Sequence, residues 1–409
     1  MRPEIIARLK LDAIFEQINS IINSDVPFEN APPALRTMKD VLERMQERLI
    51  NSVNLGKGNL IDSAIININL KILQFLPIIG FILRSTNTRN AFELFDPLQD
   101  LSQSFLTKDS RILLSSEWDY IPFVYPQTVK DLPTFTFIGL PASECSNLLI
   151  FPLTGHELAH SIWGSLGLEN DFYADLLSRV KQHFDKNELK KIDPTYKDDI
   201  FASTAESEII GEAFELAIAH CEEIFCDLFG LALFRESYIK AFYYVLSPGV
   251  GSKQEPHYPT NERRAEILAY QSEKRLNIRS KTHSGDRLTQ NAPQWSKRTA
   301  LAVQTAERAL QGFDDRIWER VVEIVERSKI HRPSDEGAQA VLKNFRLNVP
   351  HKSPKCLGNI TNACWLRFEE TTGAGVSFEE ARENLIRINE MGLKTVEVLE
   401  FHRRMKVDI

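Results

Sequence analysis

The chain has 409 residues, with 49 basic against 56 acidic side chains for a formal net charge of −7, and it is 43% hydrophobic and 26% charged. That length and balance exclude a fibre or a disordered tail and provide enough apolar material for a sizeable core over two to three domains. The mild acidity leaves no electrostatic footprint for nucleic acid or an anionic membrane surface, so neither is expected as a partner.

Five cysteines, Cys145, Cys221, Cys226, Cys356 and Cys364, are an odd number without a CxxC pair. Neither a disulfide framework nor a four-thiolate zinc site is implied, and a reducing, cytoplasmic setting fits best. The first residues lack an uninterrupted apolar stretch followed by a small-residue cleavage site, so no signal peptide is expected.

The chain opens with helices. Met38, Val41, Leu42, Met45 and Leu49 recur at three- and four-residue spacing and form one apolar stripe. The segment Ile61 to Leu83 is strongly apolar but is interrupted by Asp62, Asn67, Asn69, Lys71, Gln74 and Pro77. Its uninterrupted apolar run falls short of the roughly 20 residues a membrane span needs, which predicts a buried core helix.

From Arg111 to Pro141 the pattern turns to short runs rich in aromatic and β-branched residues, Tyr120 to Tyr125 and Thr134 to Ile138, and predicts a small sheet. Long helices are expected at about 153–166 and 204–245. A polar loop from Ser247 to Pro256 then delivers His257, and a second polar stretch at about 276–296 marks a soft boundary. Beyond it, Ile317, Trp318, Val321, Val322 and Val325 form an amphipathic helix after Asp314. Ser377 and Glu380 make a capping box that opens a helix running to about Met405. The fold class is therefore α+β and predominantly helical, with an N-terminal helical region at 1–110, a core at 111–275 and a C-terminal helical region at 276–409.

The informative segment contains His156, Glu157 and His160, an H-E-x-x-H on a helical pattern. Four residues advance a helix by about 400°, so the two imidazoles stand about 40° apart and one turn up, placed to share one metal ion. Glu157 lies about 100° round from His156, where it reaches a water beside the ion rather than the ion itself. A catalytic zinc needs a third protein ligand. Downstream, Glu222, Glu223 and Asp227 lie on a second helical pattern, and Glu223 and Asp227, four apart, share a face. One carboxylate can bind the ion while the other accepts a hydrogen bond from a ligating histidine's far nitrogen.

H-E-x-x-H followed on a later helix by E-x-x-x-D resembles the pattern of the gluzincin, thermolysin-like metallopeptidases. The resemblance implies a zincin-like core of a small sheet plus an active-site helix, with zinc (Zn2+) held by His156, His160 and Glu223. It further implies Glu157 as general base and Asp227 as the group that orients a histidine. Glu222 competes for the third ligand position, and His220 is a more distant alternative. Cys221 and Cys226 are expected to be buried and apolar. The stretch between His160 and Glu223 is much longer than in thermolysin, so Glu169 to Glu215 is expected to be a mostly helical insertion.

The segment from His257 to Arg263 is similar to the His-Pro…Arg segment of the CAAX prenyl protease and heat-shock metallopeptidase group, with Tyr258 inserted before Pro259. In that group the histidine and arginine lie close to the zinc site, which implies a role for His257 and Arg263 in stabilising charge on the reacting carbonyl. The resemblance covers roughly residues 134–268.

Its functional implication is a zinc metallopeptidase acting on a peptide or protein substrate, with the strand Thr134 to Ile138 in the place where zincins hold substrate. Access would be restricted by the helical flanks, with room for a regulatory protein partner. A non-catalytic, metal-stabilised interaction protein and a zinc hydrolase of a non-peptide amide or ester are the alternatives.

Overall fold

The computed structural model describes residues 3–24, 28–87, 92–117, 122–124, 131–144, 146–192, 200–246, 254–278, 295–373 and 375–407. Cys145, His283, half of the expected strand at Tyr120 to Tyr125, most of the Ser247 to Pro256 loop and most of the polar stretch at 276–296 lie outside them. The structure is predominantly helical with one small three-stranded sheet. Packing divides it into two compact units, Met1–Gln103 with Thr107–Cys145, and Ser104–Leu106 with Ser146–Ile409.

In the first unit, α1 (Pro3–Ile22), α2 (Ala31–Asn54) and α3 (Gly58–Asn87) pack on one another around Leu11, Ile18, Leu35, Leu42, Ile68 and Phe75. The stripe read from Met38 to Leu49 is this packing face: Met38, Val41, Leu42 and Leu49 are buried. After α4 (Phe95–Phe105) come β1 (Arg111–Glu117), β2 (Phe123–Val124) and β3 (Phe135–Pro141). The central strand β3 runs parallel to β1, with Leu113 opposite Phe137, and antiparallel to β2, with Val124 opposite Ile138. Phe81 of α3 meets Phe137 edge to face at 5.8 Å, fastening the helix to the sheet.

Helix α3 departs from the expected buried core helix in one respect. It buries Ile68, Ile72, Phe75 and Ile79 on one side, but Ile66, Leu70 and Leu73 on the other are 57%, 60% and 65% exposed. The helix runs unbroken through Pro77. Its stretch Gly58–Ser85 is long and apolar enough to cross a membrane, a test that core helices of soluble proteins also pass.

The second unit is built round α8 (Ile200–Phe234), whose buried faces carry Leu216, Ile224, Phe225, Leu228 and Phe229. Against it pack α5 (Thr154–Leu166), α6 (Glu169–His183), α9 (Glu236–Val245), α10 (Asn261–Leu276), α11 (Lys297–Leu310) and α12 (Asp314–Arg327). A short helix, α7 (Lys186–Ile192), follows α6, so the described part of the Glu169 to Glu215 stretch is helical as expected. The unit closes with α13 (Asp335–Arg346), α14 (Leu357–Thr371) and α15 (Phe378–Val407), where α14 packs on both α13 and α15. The capping box forms as read: Ser377 N–H donates to Glu380 Oε2 at 3.1 Å and Glu380 N–H donates to Ser377 Oγ at 3.2 Å. The single helix expected over 204–245 is instead two, broken at Arg235, whose φ of 54° ends α8 and redirects the chain into α9.

Candidate metal centre

Two glycines allow the centre to assemble. A Cβ on Gly155 of α5 would stand 3.4 Å from the Cα of Gly230 and 2.9 Å from the Phe234 ring. Only glycine there lets α5 lie this close to α8, and His156, the next residue, is thereby carried onto the acidic face of α8. Trp163 farther along α5 stacks on Phe172 and leans on Phe225, which fixes the rotation of the helix about its axis.

His156 and His160 turn their Nε2 atoms towards each other at 3.2 Å. Glu223 completes a triangle, its Oε2 3.5 Å from His156 Nε2 and its Oε1 3.5 Å from His160 Nε2. The opposite nitrogens are each tied to a carboxylate. His156 Nδ1 lies 3.0 Å from Asp227 Oδ1, and His160 Nδ1 lies 2.8 Å from Glu222 Oε1. Each carboxylate accepts an Nδ1 proton, which leaves the two Nε2 atoms facing one point. Two Nε2 lone pairs at this distance would repel, so one cation belongs between them, a proton in the metal-free protein or a metal ion in its place.

The dimensions suit zinc. Zinc–nitrogen and zinc–oxygen bonds of about 2.0–2.2 Å with tetrahedral angles require ligand atoms about 3.3–3.5 Å apart. The charges suit it as well. Burial would raise the Glu223 carboxyl, but its hydrogen bond with His156 and the nearby His160 and Arg264 cations hold it down at about 2. Burial opposes charge on His156, yet Asp227 and Glu223 outweigh it and lift the imidazole to about 10. A pocket that holds one positive charge this firmly is a field in which a divalent cation is stabilised. Glu157 is buried beside the pair, and that burial, with the repulsion of Glu223, lifts its carboxyl above the ordinary glutamate range.

Of the residues expected from the sequence, the structure brings His156, Glu157, His160, Glu223 and Asp227 together. The two neighbouring glutamates face different atoms: Glu222 faces the far nitrogen of His160, and Glu223 faces both Nε2 atoms. His220 is not in the cluster, because its ring is buried and bonded to the Pro256 carbonyl at 2.8 Å. Cys221 and Cys226 are buried as expected, and burial pushes both thiols up. Cys226 nevertheless brings its sulfur within 4.8 Å of ligand nitrogens of His156 and His160, a proximity its apolar surroundings in the sequence did not announce.

Two expected residues are corrected. Arg263 points away and pairs with Glu266 at 3.3 Å. Arg264 is the arginine at the centre: Nε donates to Asp227 Oδ2 and Nη2 to Asp227 Oδ1, both at 2.7 Å, and Nη1 lies 3.5 Å from Glu223. The signal was present in Tyr258, because counting from Pro259 instead of His257 moves the assignment by one residue. His257 is exposed on the turn before α10. Tyr258, half-exposed, is the neighbour that feels the centre: burial raises its phenol, and Glu223 raises it further. Tyr238 was also missed from sequence. Its hydroxyl donates to Asp227 Oδ1 at 2.7 Å.

No protein-family model, no curated protein and no solved structure matches this chain.

Proposed function

We propose that the chain is a zinc-dependent hydrolase of peptide bonds, with zinc held by His156, His160 and Glu223. The observation that supports this most is the convergence of the two Nε2 atoms, 3.2 Å apart, on the Glu223 carboxylate, whose Oε2 lies 3.5 Å from His156 and whose Oε1 lies 3.5 Å from His160, each imidazole anchored behind by its own carboxylate. His156, His160 and Glu223 would hold the ion, and zinc bound there would supply a Lewis acid that polarises a carbonyl and makes a water more acidic. The peptide as substrate rests on the likeness of the H-E-x-x-H and E-x-x-x-D elements to the gluzincin pattern.

Glu157 holds and moves the proton. Burial lifts its carboxyl above the ordinary glutamate range, the direction that makes the carboxylate a better acceptor of a proton from water and the acid able to return it to a leaving amine. Asp227 and Glu222 fix the tautomers of His156 and His160 and keep both Nε2 atoms aimed at one point. The edge of His160 is the more exposed of the two rings, so substrate approaches from its side.

A second reading rests on Cys226. If its thiolate joins the two histidines and Glu223, four protein ligands close the site, and the metal is structural in a non-catalytic protein. Zinc content and casein cleavage by wild type, Glu157→Gln, Glu223→Ala and Cys226→Ser separate the two. The hydrolase reading expects near one zinc per chain in wild type, retained in Glu157→Gln with cleavage lost, depleted in Glu223→Ala and unchanged in Cys226→Ser. Zinc lost with Cys226 and no cleavage by any sample establishes the closed site, and a zinc-free wild type overturns both.

A further inference from the structure

We infer that Tyr238 and Arg264 are positioning residues that lock Asp227 onto His156, and that this lock, resting on the zinc reading above, sets how tightly the metal is held. Asp227 is surrounded by donors on every side. Its Oδ1 meets the Tyr238 hydroxyl at 2.7 Å, Arg264 Nη2 at 2.7 Å and His156 Nδ1 at 3.0 Å, and its Oδ2 meets Arg264 Nε at 2.7 Å. The two nitrogens of the guanidinium fork fix the plane of the carboxylate as well as its charge. A carboxylate in a fixed plane draws the His156 Nδ1 proton to Oδ1 at 3.0 Å, with the Tyr238 hydroxyl 3.3 Å from the same nitrogen, and this aims Nε2 at the metal position.

The chain is shaped to deliver both donors. Were α8 to continue, residue 238 would lie about 16 Å along the axis from Asp227 at 1.5 Å per residue. Arg235 breaks the helix with φ of 54°, a conformation a side chain with a Cβ rarely adopts, and α9 folds back so that Tyr238 comes alongside Asp227. The Tyr238 ring then lies on Gly230, where a Cβ would approach it to 2.3 Å. Tyr238 is fully buried, so its hydroxyl has a partner or a penalty. Arg264 comes from α10, whose first turn is set by Thr260 accepting the Arg263 N–H at 3.1 Å, and its guanidinium lies over the Phe242 ring of α9 at 5.3 Å. Arg264 also stands 3.5 Å from Glu223, so one guanidinium braces a ligand and the carboxylate behind another.

Tyr238→Phe removes a single hydroxyl, and Arg264→Lys keeps the charge while destroying the fork; both leave Asp227 a neighbouring cation and spare the fold. Arg263→Ala, on the exposed side of α10, is the control. Zinc affinity is measured by chelator competition, and the hydrogen-bonded Nδ1 proton of His156 is followed as a downfield proton resonance, a readout that needs no metal. The expected result is a loss of about 10- to 100-fold in zinc affinity for Arg264→Lys and about 10-fold for Tyr238→Phe, with the Nδ1 resonance shifted or broadened in both and unchanged in Arg263→Ala. Wild-type affinity with an unshifted resonance in both variants overturns the lock. Its failure differs from that of the zinc reading, which falls only if wild type itself binds no zinc.

Discussion

Helices α3 and α8 are the two longest apolar helices outside the C-terminal region, and the protein uses them in opposite ways. Along α3, Ile66, Leu70 and Leu73 face outward although nothing in their chemistry asks for water. Along α8 the unexpected groups are inside: His220, Glu223 and Asp227 are buried among Ile224, Phe225, Leu228 and Phe229. Apolar content alone therefore does not say which helix is a core. Exposed leucines cost little, whereas a buried carboxylate without partners costs several kcal/mol, so charge inside an apolar helix is the stronger sign of a site.

The largest expected effect is at that site. Glu157→Gln keeps the shape of the side chain and removes the proton carrier, and peptide cleavage is expected to fall by about 10²- to 10⁴-fold with zinc retained. Thermal stability should move the other way. The Glu157 pKa is raised in the folded state, so the stability it contributes is complete below the unfolded value of 4.5 and is lost as pH rises through the folded one. At neutral pH the glutamine variant is therefore expected to melt higher than wild type. A variant that loses activity and stability together would mean Glu157 is structural.

Packing supplies the next contrast. Phe225 is fully buried between Trp163 and Phe229, and Phe225→Ala is expected to cost about 3–5 kcal/mol in denaturant unfolding. It should also release zinc more readily, because Trp163 orients α5.

Much of this was legible in the sequence, for identifiable reasons. The spacing of His156, Glu157 and His160 fixes their directions on any α-helix, and a capping box is local chemistry, so Ser377 and Glu380 paired as read. What failed depends on tertiary direction. Arg263 and Arg264 are adjacent, differ by about 100° round α10, and only packing decides which faces α8. Tyr238 reaches Asp227 through a break at an arginine with positive φ, and no propensity announces that an arginine will take it. The outward face of α3 was missed because a run of leucine and isoleucine carries no label for the side that packs.

Acid sharpens the contrast from the other direction. Glu223 is held at about 2 against an unfolded 4.5, so its contribution is present above 4.5 and disappears as pH falls towards 2. Asp227 is depressed as well, chiefly because Arg264 overcomes the cost of its burial. Metal-free protein is therefore expected to lose stability progressively below pH 4.5, and Glu223→Gln should flatten that decline while lowering stability at neutral pH. An equal acid slope in both proteins would place Glu223 in contact with water instead of with His156 and His160.

The smallest effect tests α3 itself. Leu70 is 60% exposed, so Leu70→Gln removes little buried apolar area and is expected to change unfolding by no more than about 0.5 kcal/mol. Ile68, two residues away on the other side of the same helix, is fully buried, and Ile68→Val is expected to cost about 0.5–1.5 kcal/mol even though it deletes only one methylene. The more drastic change in polarity should thus have the smaller consequence. Should Leu70→Gln instead cost as much as Ile68→Val, the outward face of α3 would be covered in solution. Repeating the melt over a range of protein concentrations would then tell whether a second copy covers it, since self-association makes the midpoint rise with concentration and an intramolecular cover does not.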